Sequence, residues 1–154
     1  TRTIPVSGHF TARQKAVYQA VLNVKNEATK MLVPGTIWEE YHREVGKIMT
    51  SELLGLGLID KSDVQNEDPK WPAYKKYFMH GTSHFLGLDV HDIGNRYEKM
   101  KAGMIFTCEP GIYIPEEGLG IRLENDILIT TNGNIDLMQN IPITADEIES
   151  LMNE

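Results

Sequence analysis

The chain has 154 residues, 41% of them hydrophobic, a formal net charge of -7 and a single cysteine, Cys108. That length and composition fit one globular domain, 1–154, with its own core, and the acidic balance argues against a nucleic-acid backbone or an anionic membrane as partner. A lone cysteine excludes an intramolecular disulfide, no apolar run approaches the roughly 20 residues of a bilayer span, and the start has no signal-peptide layout, so a soluble, cytoplasmic protein is expected.

Residues 1–7 read as a weak strand ending in a turn at Ser7-Gly8. From Thr11 the period changes: Val17, Val21, Val24, Ala28 and Met31 recur at steps of four and three, one face of an amphipathic helix. Thr11 and Gln14 form a capping box at its start, and Pro34-Gly35 ends it. A second helix follows at once, with Thr36 as N-cap, Glu39 at the third helical position and Tyr41, Val45, Ile48 and Met49 as its stripe, running to about Leu53. Gly55 and Gly57 break the pattern, and "DKSDVQNEDPKWPAY" reads as a surface loop holding at most a short turn of helix.

Next comes "HGTSHFLGLDVHD", residues 80–92, which gathers His80, His84 and His91 with two aspartates. A polar connection, "NRYEKMKAG", leads to two β-rich runs, "MIFTCEPGIYI" and "GIRLENDILIT", joined by "PEEGLG" as a hairpin. The tail, "TADEIESLMNE", has the composition of a closing helix with Thr144 as cap and Glu147 at its third position. Helices first and strands later give an α+β arrangement.

The hairpin carries the clearest chemistry. A turn symmetric about Glu116 and Glu117 places Glu109 directly opposite Glu124. Facing carboxylates in neighbouring strands lie roughly 5 Å apart at Cβ and repel unless a positive charge sits between them, which a divalent cation would supply. Strand alternation adds Arg122 and Asp126 to the Glu124 face and turns Leu123, Ile127 and Ile129 to the other. The alternative is a pair of glutamates on a solvated sheet face, and a bulge at Pro110 would separate them. In the histidine stretch, Gly81, Thr82 and Ser83 make a helix poor, so His80 and His84 are not a helical pair of metal ligands. His84 and His91 would point to opposite faces of an ideal strand, and Gly87 offers the bend that brings both to one cavity. Any one histidine taken alone is more readily structural than a ligand. Cys108 points away from the Glu109 face and has no nucleophile motif, so a buried thiol is expected.

Together, "HGTSHFLGLDVHD", "CEPGIYI" and "GIRLENDILIT", in this order and at these separations, closely resemble the C-terminal catalytic domain of aminopeptidase P and prolidase, the proline-specific metallopeptidases of the creatinase-like pita-bread fold. The resemblance implies a dinuclear centre in which two aspartates, one histidine and two glutamates hold two divalent ions, manganese foremost, with cobalt or zinc as alternatives. His84 would be the imidazole ligand, Glu109 a ligand that also shuttles a proton, and Glu124 the carboxylate bridging the metals. His80 and His91 match non-ligand histidines that bind substrate and stabilise the tetrahedral intermediate, and Tyr113 and Arg122 match positions lining the same site. The implied reaction is hydrolysis of the bond before a proline in second position of a peptide, with a prolidase acting on dipeptides, or a catalytically silent peptide-binding or protein-binding module, as alternatives. The family's aspartate ligands precede the segment matching Thr1, so the resemblance implies an incomplete pita-bread fold with three of five ligands, inactive as an isolated piece. A homo-oligomer is compatible with the resemblance.

Overall fold

The computed structural model describes residues 1–154. Helix α1 (Ala12–Met31) starts as expected: the Thr11 hydroxyl accepts from the Gln14 N–H, and the Gln14 side chain accepts from the Thr11 N–H at 2.9 Å. Its buried face holds Val17, Val21, Val24 and Ala28, while Met31 is only partly covered at the last turn. Helix α2 (Trp38–Gly55) begins one residue later than the capping pattern predicted, with Ile37 at the N-cap and no side-chain cap. The Thr36 hydroxyl instead donates to the Met31 carbonyl at 2.8 Å, closing the Pro34-Gly35 turn onto the end of α1. Tyr41, Val45, Met49 and Leu53 then bury against α1.

The polar loop contains helix α3 (Lys61–Gln65), capped by Asp60, and a single 3-10 turn at Ala73–Lys76. Five strands follow: β1 (Ile105–Cys108), β2 (Gly111–Ile114), β3 (Leu119–Arg122), β4 (Asn125–Thr130) and β5 (Gly133–Asp136). The long hairpin keeps one register throughout, with Ile114 opposite Leu119, Gly111 opposite Arg122, and Cys108 opposite Asn125. Pro110 has no N–H to donate, so the ladder lapses at Glu109-Pro110 and divides into a β2-β3 pair and a β1-β4-β5 sheet without any shift in register. β5 was not anticipated; it returns along β4 with Gly133 opposite Thr130, so Thr131 and Asn132 form the two-residue turn. Helix α4 (Ala145–Met152) closes the chain, with the Thr144–Glu147 capping box in place.

Residues 1–7 do not form the expected strand. Thr1 exchanges two backbone hydrogen bonds with Glu124, at 3.0 and 3.1 Å, and the Thr3 hydroxyl bonds to both backbone groups of Arg122. Pro5 and the turn at Gly8, whose φ is 81°, then end the pairing. The core lies between α1 and α2 on one side and the sheets on the other, with Leu123, Ile127 and Ile129 fully buried as alternation required. A buried ion pair also joins the layers: Lys25 of α1 reaches Asp136 of β5 at 3.0 Å, and the Asn125 amide donates to the same carboxylate at 2.6 Å. No helix is long and apolar enough to cross a membrane.

Candidate metal centre

The segment carrying the histidines is extended, and it runs antiparallel along the free edge of β1. The Glu109 N–H donates to the Thr82 carbonyl at 2.7 Å, the Thr107 N–H to the His84 carbonyl at 3.1 Å, and the Leu86 N–H to the Ile105 carbonyl at 3.1 Å. Alternation across these three lines of backbone therefore puts His84, Thr107, Glu109 and Glu124 on one face. The His84 N–H also donates to the Thr107 hydroxyl at 3.0 Å, which ties the residue down from both its backbone groups.

On that face, one nitrogen of His84 and one carboxylate oxygen each from Glu109 and Glu124 all lie within 4.8 Å of one another. His84 Nε2 is 3.6 Å from Glu109 Oε1, and the three side chains are 16% to 21% exposed, so a small ion from solvent can reach them. His84 Nδ1 lies 2.9 Å from the Phe85 carbonyl, an acceptor only, so Nδ1 carries the proton and Nε2 keeps its lone pair for a cation. Glu109 is the electrostatically stressed member: burial first, and the neighbouring Glu124 second, hold its carboxyl above the ordinary value. Asp126, two residues along the same face, is raised for the same two reasons. Two carboxylates and one imidazole are a donor set suited to hard or borderline divalent ions, so the residues fit such a metal.

The positive charge present between the glutamates is Arg122. Its Nε is 3.9 Å from Glu109 and an Nη 3.8 Å from Glu124, yet Nε is buried without a hydrogen-bond partner. The guanidinium balances the pair at a distance without satisfying either carboxylate.

The other expected site residues gather around this trio. His80 Nε2 is 2.8 Å from the Tyr113 hydroxyl, which reaches back from β2, and His80 Nδ1 is 2.8 Å from the Gly81 carbonyl, so Nε2 accepts from the tyrosine. Burial raises the Tyr113 hydroxyl above its ordinary range. His91 packs edge-on against His84, their ring centroids 4.4 Å apart and their planes at 89°. Residues 86–91 make this possible by looping out and back, with the Asp92 N–H donating to the Phe85 carbonyl at 3.0 Å. A side chain at Gly87 would overlap the Asp92 carboxylate, which would have to swing aside. Sequence reasoning did not anticipate Thr82, Thr107 and Phe85, whose backbone and hydroxyl groups orient His84 and Glu109. Cys108 is fully buried, and burial pushes its thiol up to about 11, which leaves no nucleophile there.

A model of metallopeptidase family M24 matches residues 1–131. The Xaa-Pro aminopeptidases of Haemophilus influenzae and Escherichia coli are 39% and 43% identical across 99% of this chain, which spans only 38% and 37% of their lengths. Among solved structures, the Pseudomonas aeruginosa aminopeptidase PepP superposes with a TM-score of 0.88 at 37% identity, over 99% of this chain and 37% of that one. Zinc-substituted Escherichia coli aminopeptidase P in complex with product superposes with a TM-score of 0.86 at 41% identity, with the same coverage. The α+β architecture is that of the pita-bread fold.

Proposed function

The chain belongs to metallopeptidase family M24, and on that premise we propose that it contributes to a metal centre hydrolysing the peptide bond between an N-terminal residue and a following proline. What supports this most is the convergence of His84, Glu109 and Glu124 within 4.8 Å, in a chain whose relatives are named Xaa-Pro aminopeptidases. In this proposal His84, Glu109 and Glu124 are metal ligands, and residues 1–154 are the C-terminal portion of the catalytic domain. Two divalent ions are the cofactors, manganese first, with cobalt or zinc as alternatives. Ions held there would activate water and polarise the scissile carbonyl.

The chain's own side chains then divide the remaining work. Glu109, whose carboxyl the surroundings already hold above its ordinary value, takes a proton from the attacking water and returns it to the departing proline nitrogen. His91, braced edge-on against His84, donates to the carbonyl oxygen as negative charge develops on it, while His80, with Nδ1–H on the Gly81 carbonyl and Nε2 accepting from Tyr113, lines the substrate side of the site and fixes the Tyr113 hydroxyl there. Arg122 keeps the two glutamates apart and oriented. The buried thiol of Cys108 supports a reducing, cytoplasmic setting. The fully exposed Leu88 and Ile93 beside the site support a homo-oligomer.

The experiment compares the metal-loaded holoenzyme with its His84→Ala variant, reading bound metal by elemental analysis and cleavage of an Ala-Pro peptide against an Ala-Ala control. Cleavage confined to the proline peptide, with metal and activity both lost in the variant, is the expected result; undiminished activity after His84→Ala would overturn the assignment. With three ligands only, the 154-residue polypeptide on its own is expected to be inactive, and full activity with two bound metals would refute that part.

A further inference from the structure

His84 turns its ring toward Glu109 and Glu124, so by strand alternation its two neighbours, Ser83 and Phe85, face the other side, where α2 lies. Trp38 and Tyr41, three apart on α2 and hence on one face of it, meet them there. We infer that Trp38 and Tyr41 are positioning residues for the metal centre: α2 grips the backbone on both sides of His84 and thereby fixes where its imidazole stands. The step rests on the reading of His84 as a metal ligand given above.

The grip at Ser83 is polar. The Tyr41 and Ser83 hydroxyls lie 2.9 Å apart and share a hydrogen bond, with Tyr41 1% and Ser83 6% exposed. A hydroxyl pair shut away from water keeps its geometry, because separating the two leaves both unsatisfied in the core. Cys108 Sγ, 4.0 Å from the Tyr41 hydroxyl, is only a weak substitute.

The grip at Phe85 is aromatic. Trp38 lies parallel to the Phe85 ring, with centroids 5.6 Å apart and planes at 5°, an offset stack. Phe106 of β1 leans on both rings, 4.7 Å from Phe85 and 5.4 Å from Trp38. Gly94 sets bare backbone against the same Phe85 ring, where a Cβ would come within 2.3 Å of it.

Holding that ring holds the peptide that follows it. The Phe85 carbonyl lies 2.9 Å from His84 Nδ1 and accepts from the Asp92 N–H at 3.0 Å, so its position sets both the His84 tautomer and the return of the loop that carries His91. The far end of that loop is tied to the start of the same helix. The Met100 N–H donates to the Thr36 carbonyl and the Gly35 N–H to the Met100 carbonyl, each at 2.9 Å. A ligand needs its supporting contacts to hold it within about 0.5 Å, and both of His84's neighbours take theirs from α2.

The test titrates the metal-free protein with manganese chloride by calorimetry, alongside Trp38→Leu, Trp38→Phe, Tyr41→Phe and a control, Leu53→Val, at a fully buried position near the far end of α2. Trp38→Leu and Tyr41→Phe are each expected to weaken manganese binding about 10-fold. Trp38→Phe keeps a ring to stack and should bind as the unmodified protein does. Leu53→Val should lower the melting temperature and leave manganese binding alone. Unchanged binding in either Trp38→Leu or Tyr41→Phe overturns the two-sided grip, and equal weakening in Leu53→Val overturns it by tracing the loss to stability. If His84→Ala binds manganese as tightly as the unmodified protein, the ligand assignment fails separately. The imidazole nitrogen shifts of His84 in the metal-free protein then decide the grip alone. The Nδ1–H tautomer giving way to a mixture in the Trp38→Leu/Tyr41→Phe double variant supports it, and an unaltered tautomer refutes it.

Discussion

Replacing Glu124 with Gln tests how the charges of the metal-free site balance. The nearest oxygens of Glu109 and Glu124 lie within 4.8 Å. Two unit charges at that separation repel by about 3.5 kcal/mol at an effective dielectric of ~20, and by about 1 kcal/mol at that of water. Arg122, 3.9 and 3.8 Å from the two carboxylates, attracts each by about 4 kcal/mol at the same dielectric, so the charge on Glu124 is favourable on balance by about 1 kcal/mol. Glu124→Gln is therefore expected to lower the melting temperature of the metal-free protein at neutral pH by about 2 to 4 °C. The pH dependence has a definite sign. The Glu109 carboxyl is raised above its ordinary 4.5 in the folded state, so the folded state binds more protons, and stability falls as pH rises from about 4.5 through the raised value. The variant removes the second cause of that shift, so its stability falls less over the same window. Added manganese should widen the difference, stabilising the unmodified protein and hardly affecting the variant. Thermal melts in EDTA and in manganese, at pH 5 and pH 7.5, read all of this. A variant that melts higher without metal and keeps the full manganese-induced rise would refute the electrostatic account.

Tyr113→Phe removes the hydroxyl 2.8 Å from His80 and should lower kcat about 10-fold with little change in KM. Gly111→Ala should reproduce that kinetic loss without much change in stability, because its Cβ would come within 2.6 Å of the Tyr113 hydroxyl and swing the ring away from His80; an unaltered kcat in both variants contradicts the positioning role. Leu123→Ala empties a fully buried position under the site and should cost about 2 to 5 kcal/mol in urea melts, so a change near zero would mean that the hairpin packs differently. Cys108, fully buried with its thiol raised to about 11, should resist a thiol reagent at pH 8 until the protein is unfolded, and rapid labelling of the native state would contradict the core described above.

What could be read from sequence was set by short-range physics. The caps of α1 and α4 depend on residues three apart, so Thr11–Gln14 and Thr144–Glu147 were legible and are present. The hairpin register follows from one tight connection at Pro115–Gly118, which puts Glu109 opposite Glu124. Thr36 failed as a cap because its hydroxyl found a better acceptor in the Met31 carbonyl, a contact created only when the two helices meet. The pairing of Lys25 with Asp136 has no local signal at all.

The site divides along the same line. Sequence by itself determined the two facing carboxylates, the apolar back of the strands and the kind of ion that such ligands suit. Only the tertiary structure decided that His84 joins them, because its place depends on residues 82–86 pairing with the free edge of β1 across more than 20 intervening residues. The same pairing ties Nδ1 to the Phe85 carbonyl and leaves Nε2 available. Residues 86–91 also fold back so that His91 meets His84. Alternation and capping act between neighbours and are written in the local sequence. Edge pairing and side-chain convergence depend on segments far apart in the chain, and no local pattern encodes where those segments meet.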